Sequence, residues 1–76
     1  MDKVVITDPS RASALVGTGT AVIVAGPDAA AVGKTVAALR ASGAEAGGWI
    51  GDPSDPAVHE MAAELFPGYE VVDATS

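Results

Sequence analysis

The chain has no cysteine. No disulfide braces it, no thiolate serves as a nucleophile, and no cysteine-based metal site is open to it. It has one histidine, so any catalytic triad would have to be built around His59. Basic residues are scarce as well: four Lys and Arg stand against ten Asp and Glu, a formal charge of −6. A surface of that sign repels phosphate backbones and anionic headgroups, which argues against nucleic acid and membrane as partners. Long apolar runs are missing too. The longest, Ala21–Ala25, is far below the roughly 20 residues that span a bilayer. No N-terminal stretch has the basic region and apolar core of a signal peptide. The expectation is a soluble, cytoplasmic protein. Alanine-rich, lysine-poor usage suggests a bacterial or phage chain of high genomic GC.

What the chain does have is a large apolar fraction, 49% of 76 residues, which places it among globular sequences. One small domain is expected, over 1–76. A chain of this length buries only about 60% of its unfolded surface, so its stability is marginal unless something reinforces it. With disulfides excluded, oligomerisation is the common remaining reinforcement.

Lys3–Thr7 is a β-branched run and reads as a first strand. Asp8-Pro9 then supplies an N-cap and a proline suited to the first helical position, giving a short helix over Asp8–Val16. Gly17-Thr18-Gly19 breaks the pattern. Thr20–Gly26 is apolar without alternation, as expected of a parallel strand covered on both faces. The main helix opens at Gly26 or Asp28 with Pro27 in its first turn. Ala29, Val32, Val36 and Leu39 form its buried face, Lys34 and Arg40 point outward, and Gly43 is the residue after its C-cap. Gly33 weakens the helix interior by about 1 kcal/mol relative to alanine, a cost that close helix–strand packing would explain. Ala44–Gly51 is the third strand, weakened by Gly47-Gly48 and anchored by Trp49 and Ile50. Asp55 caps a further helix with Pro56 at its first position. There Val58, Met61, Ala62, Leu65 and Phe66 make a one-sided apolar stripe. Pro67-Gly68 stops it, Tyr69–Asp73 is a last strand at an edge, and Ala74–Ser76 frays. The order β-α-β-α-β-α-β predicts a small three-layer, half-Rossmann-like α/β domain with a mostly parallel four-stranded sheet and right-handed crossovers.

Three groups of residues are candidates for chemistry. Gly33-Lys34-Thr35 ends like a phosphate-binding loop, but the first glycine of that motif falls on Asp28, and Ala29-Ala30-Ala31 favours helix over an open loop. Asp52, Asp55, His59 and Glu60 combine carboxylates with an imidazole, as divalent-ion sites do. The helical zinc pattern needs a second histidine at Ala63, so capping by Asp55 is the better reading and no metal is expected. No serine lies in a G-x-S-x-G elbow, and no catalytic residue is assigned. The third group is positional. Ligands of open parallel sheets collect at the carboxyl ends of the strands, which makes Gly26, Asp28 and Asp52 the candidate cofactor-binding residues.

The stretch Ala21–Val58 resembles the second β-α-β unit of the short-chain dehydrogenase/reductase family, including ketoreductase domains. The carriers are the strand into Gly26, then Val32, Val36, Leu39 and Arg40, Gly43-Ala44-Glu45-Ala46, and Asp52 with Ser54-Asp55. The resemblance implies a Rossmann-like fold with Asp52 beside the adenine of a nicotinamide cofactor. Pro27 stands where NADP-preferring members carry arginine. The family's T-G-x-x-x-G-x-G corresponds here to Thr7-Asp8-Pro9-Ser10-Arg11-Ala12-Ser13-Ala14, in which every glycine is replaced. Four residues beyond Tyr69 stands Asp73, so the family's Tyr-x-x-x-Lys is also missing. Gly17–Gly51 is similar, in addition, to the last β-α-β of aminoimidazole ribonucleotide synthetase-type C-terminal domains. Neither resemblance brings a complete active site, and no bound cofactor is expected.

Two functions follow as expectations. The first is a non-catalytic domain working through self-association or a protein partner, with Tyr69–Asp73 or the Met61–Phe66 helix face as the contact. The second is a nucleotide or small-molecule module at the strand carboxyl ends.

Overall fold

A computed structural model describes residues 2–73. Strands β1 (Lys3–Thr7), β2 (Ala21–Gly26), β3 (Ala46–Ile50) and β4 (Glu70–Asp73) form one sheet in the order β3-β2-β1-β4. Every pairing is parallel, with Val4 beside Ala21, Val22 beside Ala46, and Val4 beside Val71. Helices α1 (Pro9–Ala12), α2 (Ala29–Ala41) and α3 (Pro56–Leu65) make the connections, and a 3-10 turn over Ser13–Leu15 extends α1. The chain winds outward from β1 through β2 to β3. It then returns through α3 to place β4 on the far side of β1, which is the winding of half a Rossmann fold.

Two cores follow from the alternation of the central strands. On one face Val22 and Val24 pack with Ala12, Val32, Val36 and Leu39 under α1 and α2. On the other Val4, Ile6, Ile23 and Ala25 pack with Val58, Ala62 and Phe66 under α3. All of β2 is buried, which is why its sequence shows no polar alternation. Each helix starts on an aspartate. Asp8 accepts from Arg11 N–H at 2.8 Å, Asp28 from Ala30 N–H at 3.0 Å, and Asp55 from Ala57 N–H at 3.0 Å. Gly43 has a φ of +92°, the left-handed turn that glycine accepts without strain.

Several boundaries and faces differ from the sequence reading. The first helix is a single α turn followed by the 3-10 turn, because Pro9 and the Gly17–Gly19 break leave too little chain for more. Asp28 caps α2, so Pro27 lies before the helix and not in its first turn. Ala29 is exposed, since its position projects past the rim of the sheet. β3 is shorter than Ala44–Gly51, and β4 begins at Glu70 rather than Tyr69. Leu65 is 55% exposed, although Phe66 beyond the helix end is buried. The expectation for Ala74–Ser76 lies outside the described residues.

The glycines separate into opposite roles. A Cβ at Gly48 would lie 2.9 Å from Val32 Cγ1, and one at Gly47 would lie 3.2 Å from Ile23 Cδ1 and 3.3 Å from Leu65 Cδ1. The pair that looked like a weak point lets helices approach β3 from both faces. Gly33 is the reverse: a Cβ there meets nothing within 4 Å, so close packing does not account for it. Gly33→Ala is expected to raise stability by about 0.5–1 kcal/mol through helix propensity and a less flexible unfolded chain. Thermal unfolding in dilute solution checks this; a lower midpoint would refute it.

Candidate functional site

The topology brings Gly26, Asp28 and Asp52 together at the carboxyl pole of the sheet, as anticipated, and each already has a structural partner. Gly26 O accepts from Gly51 N–H at 2.8 Å. A Cβ at Gly26 would lie 3.3 Å from Pro9 Cδ and 3.5 Å from Val32 Cγ2, so packing alone accounts for the glycine. The Asp28 carboxylate takes the Ala30 and Ala31 amides at 3.0 and 3.4 Å. These are the groups a phosphate would seek at a helix start. Asp52 Oδ1 accepts from Ser54 N–H at 2.9 Å and from Ser54 Oγ at 2.8 Å. Those two hydrogen bonds, the backbone one foremost, hold its carboxyl below the ordinary aspartate range. The carboxyl pole thus presents Asp8, Asp28, Asp52 and Asp55 as turn and cap residues. Among the described residues no grouping of histidine, aspartate and glutamate is arranged to hold a metal ion.

Gly33, Lys34 and Thr35 sit inside α2, and Thr35 Oγ1 donates to Ala31 O at 2.9 Å. A helical backbone bonds its own amides, so this string cannot wrap a phosphate. Among the described residues two buried polar side-chain atoms, Thr7 Oγ1 and Trp49 Nε1, have no hydrogen-bond partner. They lie on opposite faces of the sheet, one under α1 and α2 and the other under α3, and form no common site.

The amino pole holds a pair that no local pattern of residues announces. Tyr69 OH donates to Glu45 Oε2 at 2.8 Å across 24 residues of chain. The hydrogen bond to Glu45 raises the tyrosine pKa, with its desolvation and the charges of Glu45 and Asp2 adding to the effect. This link closes one side of a broad groove of about 710 Å³ lined by Asp2, Lys3, Val5, Leu15 and Val72. This groove is opposite the pole where ligands of such sheets usually gather.

The third feature is the free edge of β3. Val22 N–H donates to Glu45 O at 3.0 Å and Gly51 N–H to Gly26 O at 2.8 Å, which fixes the alternation of the ladder. Glu45, Gly47, Trp49 and Gly51 bond to β2. Ala46, Gly48 and Ile50 turn their amides and carbonyls outward. Arg40 covers one of these groups, its Nε and Nη2 lying 3.2 and 3.0 Å from Ala46 O. The rest of the edge is uncovered among the described residues, and no side chain within Ala46–Ile50 is charged. Ile50 is 56% and Leu65 55% exposed, and both stand beside this strand.

No protein-family model, curated protein or solved structure matches the chain. Among the described residues no helix is long and apolar enough to cross a membrane.

Proposed function

We propose that the protein is a non-catalytic association domain that binds another polypeptide along the free edge of β3. The observation that carries this reading is the contrast between the two edges of the sheet. β4 is four residues long and reads Glu-Val-Val-Asp, a short, acidic edge of the kind that resists pairing. β3 is guarded only at Ala46 O, by Arg40: its outward amides and carbonyls are bare at Gly48 and Ile50, and the large apolar side chains of Ile50 and Leu65 are exposed there. Strand addition supplies main-chain hydrogen bonds for affinity and side-chain contacts for selectivity. At the carboxyl pole the amides a nucleotide would use are taken by Asp28, which weighs against the ligand-binding alternative.

Ile50→Lys tests the reading, because it charges the edge while leaving the bonds to β2 intact. The native chain is expected to self-associate, or to retain from its source cells a protein that the Ile50→Lys chain does not. A native chain that is monomeric and retains the same proteins as Ile50→Lys would overturn it.

A further inference from the structure

We infer that the occupant of the β3 edge is a second copy of this chain, paired antiparallel about a twofold axis at Gly48. This rests on the edge-association reading and names its partner. The outward residues dictate the register. With Gly48 opposite Gly48 of the second copy, Ala46 stands opposite Ile50 and Ile50 opposite Ala46, so every outward residue of both strands faces another once the Arg40 side chain swings off Ala46 O. No other antiparallel register of β3 on itself uses all of them.

The side chains agree with this register. Ile50 gains an apolar neighbour in the second copy's Ala46. On the α3 face, Gly47 stands opposite the second copy's Trp49, with the space over Gly47 already filled by Ile23 and Leu65 of its own copy. Leu65, whose Cδ1 lies 3.3 Å from a Cβ built at Gly47, covers this glycine next to the seam. Among the described residues the exposed large apolar side chains are Val16, Ile50 and Leu65, and two of these three fall on the seam. The ends of the strands also match in charge. Arg40, which caps Ala46 O in the single copy and is released from it on pairing, sits at the end where the second copy's Asp52 arrives, while Glu45 is turned away to Tyr69.

The helices permit the same arrangement. α2 packs on both β2 and β3. Two α2 helices related by this axis are then separated by about two strand spacings, roughly 9–10 Å, which is a normal helix–helix distance. Arg40 reaches the free edge, so Ala37, Gly33 and Ala29 on its flank of α2 face the same way. All three are exposed and small enough for two backbones to approach. The opposite flank, Lys34, Thr35 and Ala38, borders Ser13 and Val16 within the same copy. Pairing through β4 has none of this support, since it would bring Glu70 and Asp73 of two acidic chains together.

Sedimentation equilibrium of the full chain from micromolar to millimolar concentration tests the inference. The native chain is expected to rise to twice the 7.4 kDa mass of one copy. Ile50→Lys and Ile50→Pro are expected to remain at the mass of one copy with the native fold by circular dichroism. Glu70→Lys, at the other edge, is expected to dimerise as the native chain does. Amide exchange of the native chain gives a readout that needs no variant: the Gly48 and Ile50 amides slow as the dimer forms, and the Val71 amide does not. A native chain that stays monomeric, a dimer whose protected edge is β4, or a folded Ile50→Lys chain that still dimerises would each overturn the inference. A monomer that nonetheless retains an Ile50-dependent partner would leave the edge-association reading standing.

Discussion

Replacing Ile23 by alanine is expected to remove about 2–5 kcal/mol of stability, the range for truncating a buried isoleucine whose surroundings cannot collapse. Ile23 is wholly buried at the middle of β2, the strand that both cores share. β1 and β3 hold it on either side, and α3 covers it. Its Cδ1 also closes the space above Gly47, which has no side chain with which to fill a void. For a domain of 76 residues, total stability is of the order of 4–11 kcal/mol. The loss is therefore a large part of the whole, and urea unfolding should show a midpoint lowered by at least a fifth at constant slope. A midpoint within error of the native value would mean that the α3 face is not the packed core described. Val32 lies on the opposite face and is joined to this region through the backbones of β2 and β3 rather than by side-chain contact with Ile23, so Ile23→Ala and Val32→Ala are expected to be nearly additive.

Gly48→Ala is expected to cost about 1–3 kcal/mol, the usual penalty of overpacking, although alanine is ordinarily the better strand residue of the two. Propensity and packing oppose each other here, and the distance decides between them. The new Cβ would lie 2.9 Å from Val32 Cγ1, and Val32 is 97% buried, with only 3% of its surface exposed. A valine in a helix has one strongly favoured rotamer, so it cannot swing aside, and α2 must lift off the sheet instead. The partner substitution supplies the check. Val32→Ala removes the methyl that is struck, so the double variant should be less destabilised than the sum of the single ones by about 0.5–3 kcal/mol. Strict additivity would show that the clash is relieved elsewhere. Set beside the stabilisation expected of Gly33→Ala, two glycines of one chain respond to the same substitution with opposite sign.

That contrast marks how far the sequence could be read. β1 and β2 were legible because apolar, β-branched runs without alternation have few uses other than a strand buried on both faces. The helix starts were legible because Asp-Pro and Pro-Asp encode a cap locally. Order and direction of the strands followed from the crossovers. Gly33 and Gly48 look alike in a sequence, however, since what distinguishes them is the presence or absence of another element's atoms. Ala29 and Ala44 differ in burial for the same reason, alanine being equally at home on either side of a helix or turn. For the candidate site, topology sufficed to place Gly26, Asp28 and Asp52 at one pole. It did not show that their hydrogen-bonding and packing capacity was already committed within the fold. The Tyr69–Glu45 link and the bare edge of β3 are tertiary facts: the first joins residues with no local relation, and the second depends on which strand lies outermost.

The strand order also bears on how the chain is made. β1 is the first strand to leave the ribosome and occupies an interior position between β2 and β4. Its partners on that side, Glu70 through Asp73, are synthesised only after β2, β3 and α3. A nascent chain released only as far as α3 can assemble β3, β2 and β1, but one side of β1 stays unpaired beside Val4 and Ile6. The sheet waits for β4, and throughout that interval one of its two edges is the apolar β1 in place of the short acidic β4. Slow translation between α3 and β4 would prolong exposure of the open side of β1, the stage at which a chaperone has most to cover.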